Sequence, residues 1–488
     1  MKQPRALSPL FLTELWERFG FYTVQSLLIF YLLHVMNFTD KRAYTLLGEF
    51  TALVYLAPLA GGLFADRILG PRYSILIGAI FLGLGYFALG WYRYIPIHAS
   101  LSLVIVGNGF LKPNISSFLG EFYHNDDPRR DAGFTLFYVG INIGALFALA
   151  GAGFIQEKLG WSIAFASAGV GMILSLITFC LGFRTFENRG LPIARATMSS
   201  QWLRLLSYKS SIAIIIVFFI FITYFLLISS GTSEILQSVV GVLILLTLIG
   251  VAFRYNKQER NRLFALLILM LASVIFWGLF FQSFSAVNVF TARNVDRSIG
   301  GFVIPPSTFI ALESFFILLS GPLLAWFWQR LHLRKKDPTS GMKFSLAMFF
   351  SAGAMGVLVL GIYWHQPNDF VNAGWIVGFY ALLTLGEMLL SPIGLSMVTA
   401  LSPPQLSGMM MGVWFMSLGF GGQLSGYLST KASMPTGLAI TSSNLIYARV
   451  FYYNALLALI AGIILLALSP WLKRLMNHSA TDDKITHS

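Results

Sequence analysis

The chain of 488 residues is 56% apolar and only 11% charged, with a mean hydropathy of +0.73. Soluble globular domains run at about 45–50% apolar and about 25% charged, so this chain lacks the charge to coat several water-soluble cores. That composition excludes every class but a polytopic membrane protein. The net charge of +13 would suit a nucleic-acid binder if it formed one patch, but the Lys and Arg residues gather on alternate connections between apolar runs, so no nucleic-acid partner is expected. A single cysteine, Cys180, sits inside an apolar run and offers neither a disulfide frame nor a cysteine metal cluster. The stretch from Met1 to Gly20 begins with Lys2 and Arg5, but Glu14, Glu17 and Arg18 interrupt any signal-peptide core.

Spans of about 20 residues are read at 10–35, 46–65, 73–92, 99–120, 132–156, 161–183, 211–229, 234–253, 263–285, 305–329, 343–364, 372–401, 408–429 and 449–472. The expectation is an all-α integral membrane protein with 14 transmembrane helices. With the N-terminus inside, Arg254, Lys257, Arg260 and Arg262 fall on the cytoplasmic side, as do Arg330, Arg334, Lys335, Lys336 and Lys343. Positive charge inside is the rule for such chains, and it puts both termini in the cytoplasm of a cell (inner) membrane. The predicted organisation is an N-terminal six-helix bundle (1–185), a cytoplasmic linker (186–210) with a short surface helix at Trp202 to Leu206, and two additional helices (211–255). A C-terminal six-helix bundle (256–475) and a cytoplasmic tail (476–488) follow. The additional pair is nearly devoid of polar chemistry and reads as lipid-facing support. Two six-helix halves with a substrate site at the midplane between them are the layout of repeat-built transporters. Gly140 with Gly144, and Gly422 with Gly426, have the spacing that lets membrane helices approach closely.

Charge inside a span is informative because it is expensive, roughly 2.5–3.5 kcal/mol per residue at a helix centre. Glu14, Glu17, Arg18, Lys112, Glu313 and Glu387 form the deep set. Glu14, Glu17 and Arg18 share one face of the first span at i, i+3 and i+4, continued by Phe21 and Gln25. Two acids against one base leave a surplus carboxylate suited to carrying a proton. Lys112 precedes Pro113 in the fourth span, and Glu387 precedes Ser391 and Pro392 in the twelfth. A paired Lys112 and Glu387 would act as a gate holding the two halves together. Tyr55, Asn142, Trp277 and Trp414 are further candidates for a polar and aromatic lining. The histidines show no metal spacing, and no cofactor is expected beyond a proton gradient as the energy source.

ELWERFGFY at Glu14–Tyr22 resembles the E-x-x-E-R-F signature of the proton-dependent oligopeptide transporter family, prokaryotic type, of the major facilitator superfamily. GGLFADRILGPRYSILIG, GFLKPNISS, FYVGINIG, GEMLLSPIGLS and MMMGVWF extend the resemblance in order along nearly the whole chain. The resemblance implies a major facilitator fold, alternating access and proton-driven uptake of di- and tripeptides; a monomer is expected. By position it assigns Glu14, Glu17 and Arg18 to proton coupling and Lys112 to the peptide carboxylate. Asn142 and Glu387 would meet the peptide amino group, with Tyr22, Tyr55, Trp277 and Trp414 lining the pocket. Ser391 falls beside Glu387 in the same binding set.

Several positions depart from that family. Gln25 stands where many members carry arginine, and Phe281 stands where many carry an acid just before Gln282. Glu313-Ser314 replaces a usual Asn-Pro. With both charges of that gate absent, closure is expected to rest on apolar packing around Phe281 and to depend little on salt. Glu313 adds a carboxylate to the binding set, predicting a preference for dipeptides and for cationic side chains. The competing reading is a symporter of the same family for another small anion or zwitterion, nitrate or a peptide-like metabolite. A membrane-embedded enzyme is the remote alternative, and the chain shows no motif for one.

Overall fold

The computed structural model describes residues 2–124, 127–191, 208–334, 336–365, 370–435 and 437–477. The surface helix expected at Trp202 to Leu206 and the tail beyond residue 477 lie outside the described residues. Each of the fourteen expected spans is met by a helix. In chain order these are α1 (Leu7–His34), α2 (Asp40–Phe64), α3 (Gly70–Gly90), α4 (Ile97–Gly120), α5 (Arg130–Leu159) and α6 (Trp161–Leu181). A single turn, α7 (Phe183–Phe186), precedes the additional pair α8 (Tyr208–Ile228) and α9 (Ser230–Ala252). The remainder comprises α10 (Lys257–Phe280), α11 (Ala286–Asn294), α12 (Ala311–Leu333), α13 (Ser340–Trp364), α14 (Ala373–Leu401), α15 (Ser407–Thr430) and α16 (Ile440–Asn477). Nine stretches among the described residues are long and apolar enough to cross a membrane, some of them holding two successive helices.

The ninth span differs from its sequence reading. Helix is expected to 285, yet α10 stops at Phe280, a 3₁₀ turn covers Phe281–Phe284, and α11 carries the helix on to Asn294. Ser285 marks the break, with φ −121° and ψ −103°. Its hydroxyl lies 2.8 Å from that of Ser429 on α15, so a neighbouring helix supplies polar contact where the helical backbone ladder is interrupted. α2 likewise ends in a π-helical turn, Ala65–Leu69, closed by Gly70 at φ +70°. A Cβ there would also lie 2.6 Å from the Leu191 carbonyl oxygen, so both conformation and space demand glycine.

Short strands tie the connections at one end of the second half. β1 (Val295–Asp296) pairs in parallel with β4 (Val371–Asn372), while β2 (Ser298–Ile299) and β3 (Phe302–Val303) form a hairpin. Gly300 and Gly301 turn that hairpin with both φ angles positive, as a two-residue turn of this kind requires.

The chain divides into two compact units: Met1–Met36 with Glu49–Ser233, and Asn37–Gly48 with Glu234–Ser488. In the first, α1 packs on α5 and α6, and α3 packs on α4 and α6. Tyr31 is fully buried there and donates to the Leu89 carbonyl at 2.8 Å. α8 rests on α4 in this unit, Phe219 meeting Phe110 edge-on, while Phe218, Phe221 and Phe225 remain exposed. In the second unit α13 lies against α14 and α16, and α10 against α15 and α16. α9 joins it closely enough that a Cβ on Gly241 would meet the Phe420 ring at 2.6 Å. The first turns of α2 also belong to this unit, where Gly48 packs against the backbone of Gly426 and Gly422 on α15. The Gly422 and Gly426 spacing therefore serves a close helix crossing.

Candidate functional site

The first unit gathers the charges of α1 as their spacing implies. Arg18 donates through Nη2 to Glu17 Oε1 at 2.6 Å, pairs with Glu17 Oε2 through Nε, and lies 3.4 Å from Glu14 Oε1. All three residues are almost wholly buried. Glu14 Oε2 has no hydrogen-bond partner among the described residues. Glycines of α5 make the space for this cluster. A Cβ on Gly144 would fall 2.2 Å from the Leu15 carbonyl oxygen and 3.2 Å from Arg18 Cβ, and one on Gly140 would strike the Phe11 ring. The Gly140–Gly144 spacing thus seats α5 directly against the charged turn of α1. Tyr86, buried and packed at Gly20, borders the same cluster and was not singled out by the sequence.

Lys112 of α4 is half-buried and forms no ion pair among the described residues. Its Nζ sits over the Tyr55 ring at 4.7 Å and at 5.9 Å from Phe21. An ammonium on aromatic faces keeps its charge available to an incoming anion. Gln25 is buried with its Oε1 unpaired among the described residues, and Asn142 is buried with its amide donating to the Tyr138 carbonyl at 2.9 Å. Tyr22 is half-buried beside Phe21, their ring centroids 5.5 Å apart. The first unit therefore brings Glu14, Glu17, Arg18, Tyr22, Tyr55 and Lys112 into one neighbourhood.

The second unit holds Trp277, Phe281, Glu313, Glu387, Ser391 and Trp414. Glu313 on α12 is 5% exposed, and the Oε2 atoms of both Glu313 and Glu387 are buried without a partner among the described residues. Phe281 stacks on Trp277 with centroids 5.8 Å apart, and the Trp277 indole N–H is unpaired among the described residues. Trp414 is 2% exposed and presses its ring onto Gly394, where a Cβ would lie within 2.0 Å. Ser391, half-buried, lies one turn below Glu387 on α14. Gln282 accepts from the Asn454 amide at 2.9 Å. No group of three or more His, Cys, Asp or Glu side chains that could hold a metal occurs among the described residues.

One feature escaped the sequence reading. Asp40, at the first turn of α2, accepts two hydrogen bonds from Arg293 at the end of α11, at 2.7 and 2.8 Å. The Met434 backbone N–H adds a third at 3.3 Å. Tyr44 and Tyr447 are fully buried within the same second-unit neighbourhood. An ion pair therefore fastens this end of α2 within the second unit. In the first unit, Glu121 follows α4 and accepts from the Gly190 N–H at 3.1 Å. Partial burial there raises its carboxyl above the usual range.

The POT family profile matches residues 72–445. Dipeptide and tripeptide permease B of Edwardsiella piscicida is 34% identical over 99% of this chain and 98% of its own length. A crystal structure of a peptide transporter, POT, in complex with sulfate superposes with a TM-score of 0.83 at 29% identity, covering 97% of this chain and 96% of the other. A structure from work on substrate recognition in proton dependent oligopeptide transporters gives 0.80 at 26% identity, covering 96% of this chain and 99% of the other.

Proposed function

This chain belongs to the POT family, and from that membership we propose that it is a proton-coupled symporter importing di- and tripeptides, dipeptides favoured, by alternating access. The observation that carries the reading is the distribution of charge. The first unit offers a cation on aromatic faces, Lys112, and the second offers Glu313 and Glu387, neither of which forms an ion pair among the described residues. A zwitterion needs one pole of each sign, and a buried charge needs a partner.

In this reading Lys112 receives the peptide carboxylate. Glu387 receives the ammonium, and Asn142 and Ser391 add neutral hydrogen bonds. Tyr22, Gln25, Tyr55, Trp277 and Trp414 supply lining and support. Glu14, Glu17 and Arg18 couple the proton: one arginine cannot neutralise two buried carboxylates, so a proton completes the balance when it binds. The termini face the cytoplasm, and the chain acts as a monomer in the inner membrane. A small anion such as nitrate fits this arrangement poorly, because two unpaired carboxylates in the second unit would repel it.

Purified protein in proteoliposomes should accumulate labelled dialanine only when an inward proton gradient is imposed. Uptake of labelled nitrate in place of dialanine, or dialanine uptake that ignores the gradient, would overturn the reading.

A further inference from the structure

The helix α9 touches the rest of the second unit at few points. Gly241 meets the Phe420 ring of α15, but among the described residues α9 packs along its length on no other helix. Beside that contact a cleft of about 290 Å³ opens between α9, α10 and α15, lined by Leu245, Leu248, Leu267, Leu271, Val274 and Phe420. An engineered apolar cavity of about 150 Å³ already takes up benzene, so this cleft has room for a longer hydrocarbon. Its polar lining is two serines, Ser238 and Ser417. The Ser417 hydroxyl is occupied, accepting from Ser273 at 2.8 Å and donating to the Trp414 carbonyl at 2.6 Å.

One end of the cleft is basic. Leu248 lies one turn before Ala252, where α9 ends, and the turn 253–256 leads into α10. Lys257, Arg260, Phe264, Leu267, Leu271 and Val274 recur at alternating spacings of three and four, so the two cations share the face of α10 that lines the cleft. Phe264 joins this face to the turn, its ring centroid 5.7 Å from that of Phe253, and the Arg260 guanidinium lies over Phe253 at 5.5 Å. Arg254 belongs to the same turn. The one acid nearby, Glu259, accepts from the Asn256 side chain at 2.9 Å. Arg254, Lys257 and Arg260 form no ion pair among the described residues. From Arg260 to Val274 is fourteen residues at about 1.5 Å each, or about 21 Å, which is half of the about 40–45 Å across a bilayer with its headgroups. The face is as long as one leaflet is thick, with cations at headgroup level and hydrocarbon surface beyond.

We propose that this cleft binds an anionic phospholipid of the bilayer, its phosphate held by Arg254, Lys257 and Arg260 and one acyl chain laid between α9, α10 and α15. Basic pockets between membrane helices take such headgroups, and each cation near the headgroup layer contributes to their attraction. The bound chain fills the space that side chains leave empty and seats α9 on its unit. A second copy of this chain is a poorer occupant, because a two-fold axis would bring the two basic turns to the same level, like charge against like.

The test uses the full-length protein in phosphatidylcholine nanodiscs, with trace phosphatidylglycerol or phosphatidylcholine spin-labelled at mid-chain. Wild type should immobilise the phosphatidylglycerol probe in clear preference to the phosphatidylcholine probe. Equal immobilisation of both would reduce the cleft to ordinary boundary lipid and overturn the site. Lys257→Gln with Arg260→Gln should weaken phosphatidylglycerol binding by roughly 25-fold, about fivefold for each cation removed, and leave the phosphatidylcholine signal unchanged. An undiminished preference in that protein would overturn the headgroup assignment. Val242, which lines the cleft on α9 and is 56% exposed, can be enlarged to fill it. Val242→Trp should release the immobilised chain, and Leu271→Trp from the α10 side should do the same if the first variant folds poorly. Unchanged immobilisation in a folded filler would overturn the acyl-chain assignment. Efficient disulfide dimers of a Cys180→Ser, Val242→Cys protein would place a second copy on this face and overturn the proposal as well.

Discussion

Breaking the Asp40–Arg293 pair should free the first turns of α2 from the second unit. The perturbation is Arg293→Gln, which leaves the Asp40 side chain, 3% exposed, without its bidentate partner. Stranding a fully buried charge costs about 3–5 kcal/mol, whereas exposed pairs contribute roughly 0.2–1 kcal/mol. The Arg293 side chain is 31% exposed, and the Met434 N–H stays within 3.3 Å of Asp40, so this pair falls between those limits. About 2 kcal/mol is a reasonable figure, and it corresponds to a shift of roughly 30-fold in the equilibrium between attached and released α2. Ala43, fully buried one turn into α2, is the reporter. With Cys180 changed to Ser and Ala43 to Cys, a membrane-impermeant maleimide should label the Arg293→Gln and Asp40→Asn proteins about 30-fold faster than the parent, by that population shift. The double variant should be no faster than either single one, because the pair is lost only once. Exchanging the charges, Asp40→Arg with Arg293→Asp, should restore slow labelling. Raised salt should accelerate labelling of the parent, since the arginine is open to screening. Identical labelling rates in the parent and the two single variants would refute the argument from burial.

The remaining predictions concern binding, coupling and packing. Glu387→Ala and Lys112→Ala should each weaken dialanine binding by roughly ten- to hundredfold, the effect of about 1.5–3 kcal/mol for a charge-assisted hydrogen bond, and calorimetric titration at wild-type affinity would remove the residue from the binding set. Glu17→Gln should abolish gradient-driven accumulation yet spare exchange of internal for external peptide, which moves no net protons; normal accumulation would take Glu17 off the proton route. Glu121→Gln keeps an acceptor for the Gly190 N–H and should leave both assays nearly unchanged. Gly144→Ala should lower stability by about 1–3 kcal/mol through overpacking against Leu15, read as a drop in melting temperature.

The architecture was legible because lipid leaves few alternatives: an apolar run of about 20 residues must be helical to satisfy its own backbone. The break at Ser285 was not legible, since it depends on Ser429 of another helix, which no local pattern reveals. The same logic divides the charges. Glu14, Glu17, Arg18, Lys112, Glu313 and Glu387 announced themselves because a charge within a span is rare and expensive. Asp40 and Arg293 did not, because charges at span ends cost little, and nothing connects residues 253 positions apart until the chain is folded.

Aromatic residues were legible only as candidates, because a ring in a membrane helix serves packing and binding equally well. Trp414, pressed onto Gly394, shows how far packing alone can explain such a residue. The departures at Phe281 and Glu313 have the most instructive outcome. Read one at a time, each is a defect: an acid missing beside Gln282, and an unwanted acid where an amide is usual. In the folded second unit, Phe281 fills its place by stacking on Trp277 and leaves no ion behind, while Glu313 brings a buried carboxylate to α12, beside α14 and Glu387. Neither change announces the other in the local sequence, because the two positions lie on different elements of the unit, the 3₁₀ turn after α10 and the helix α12.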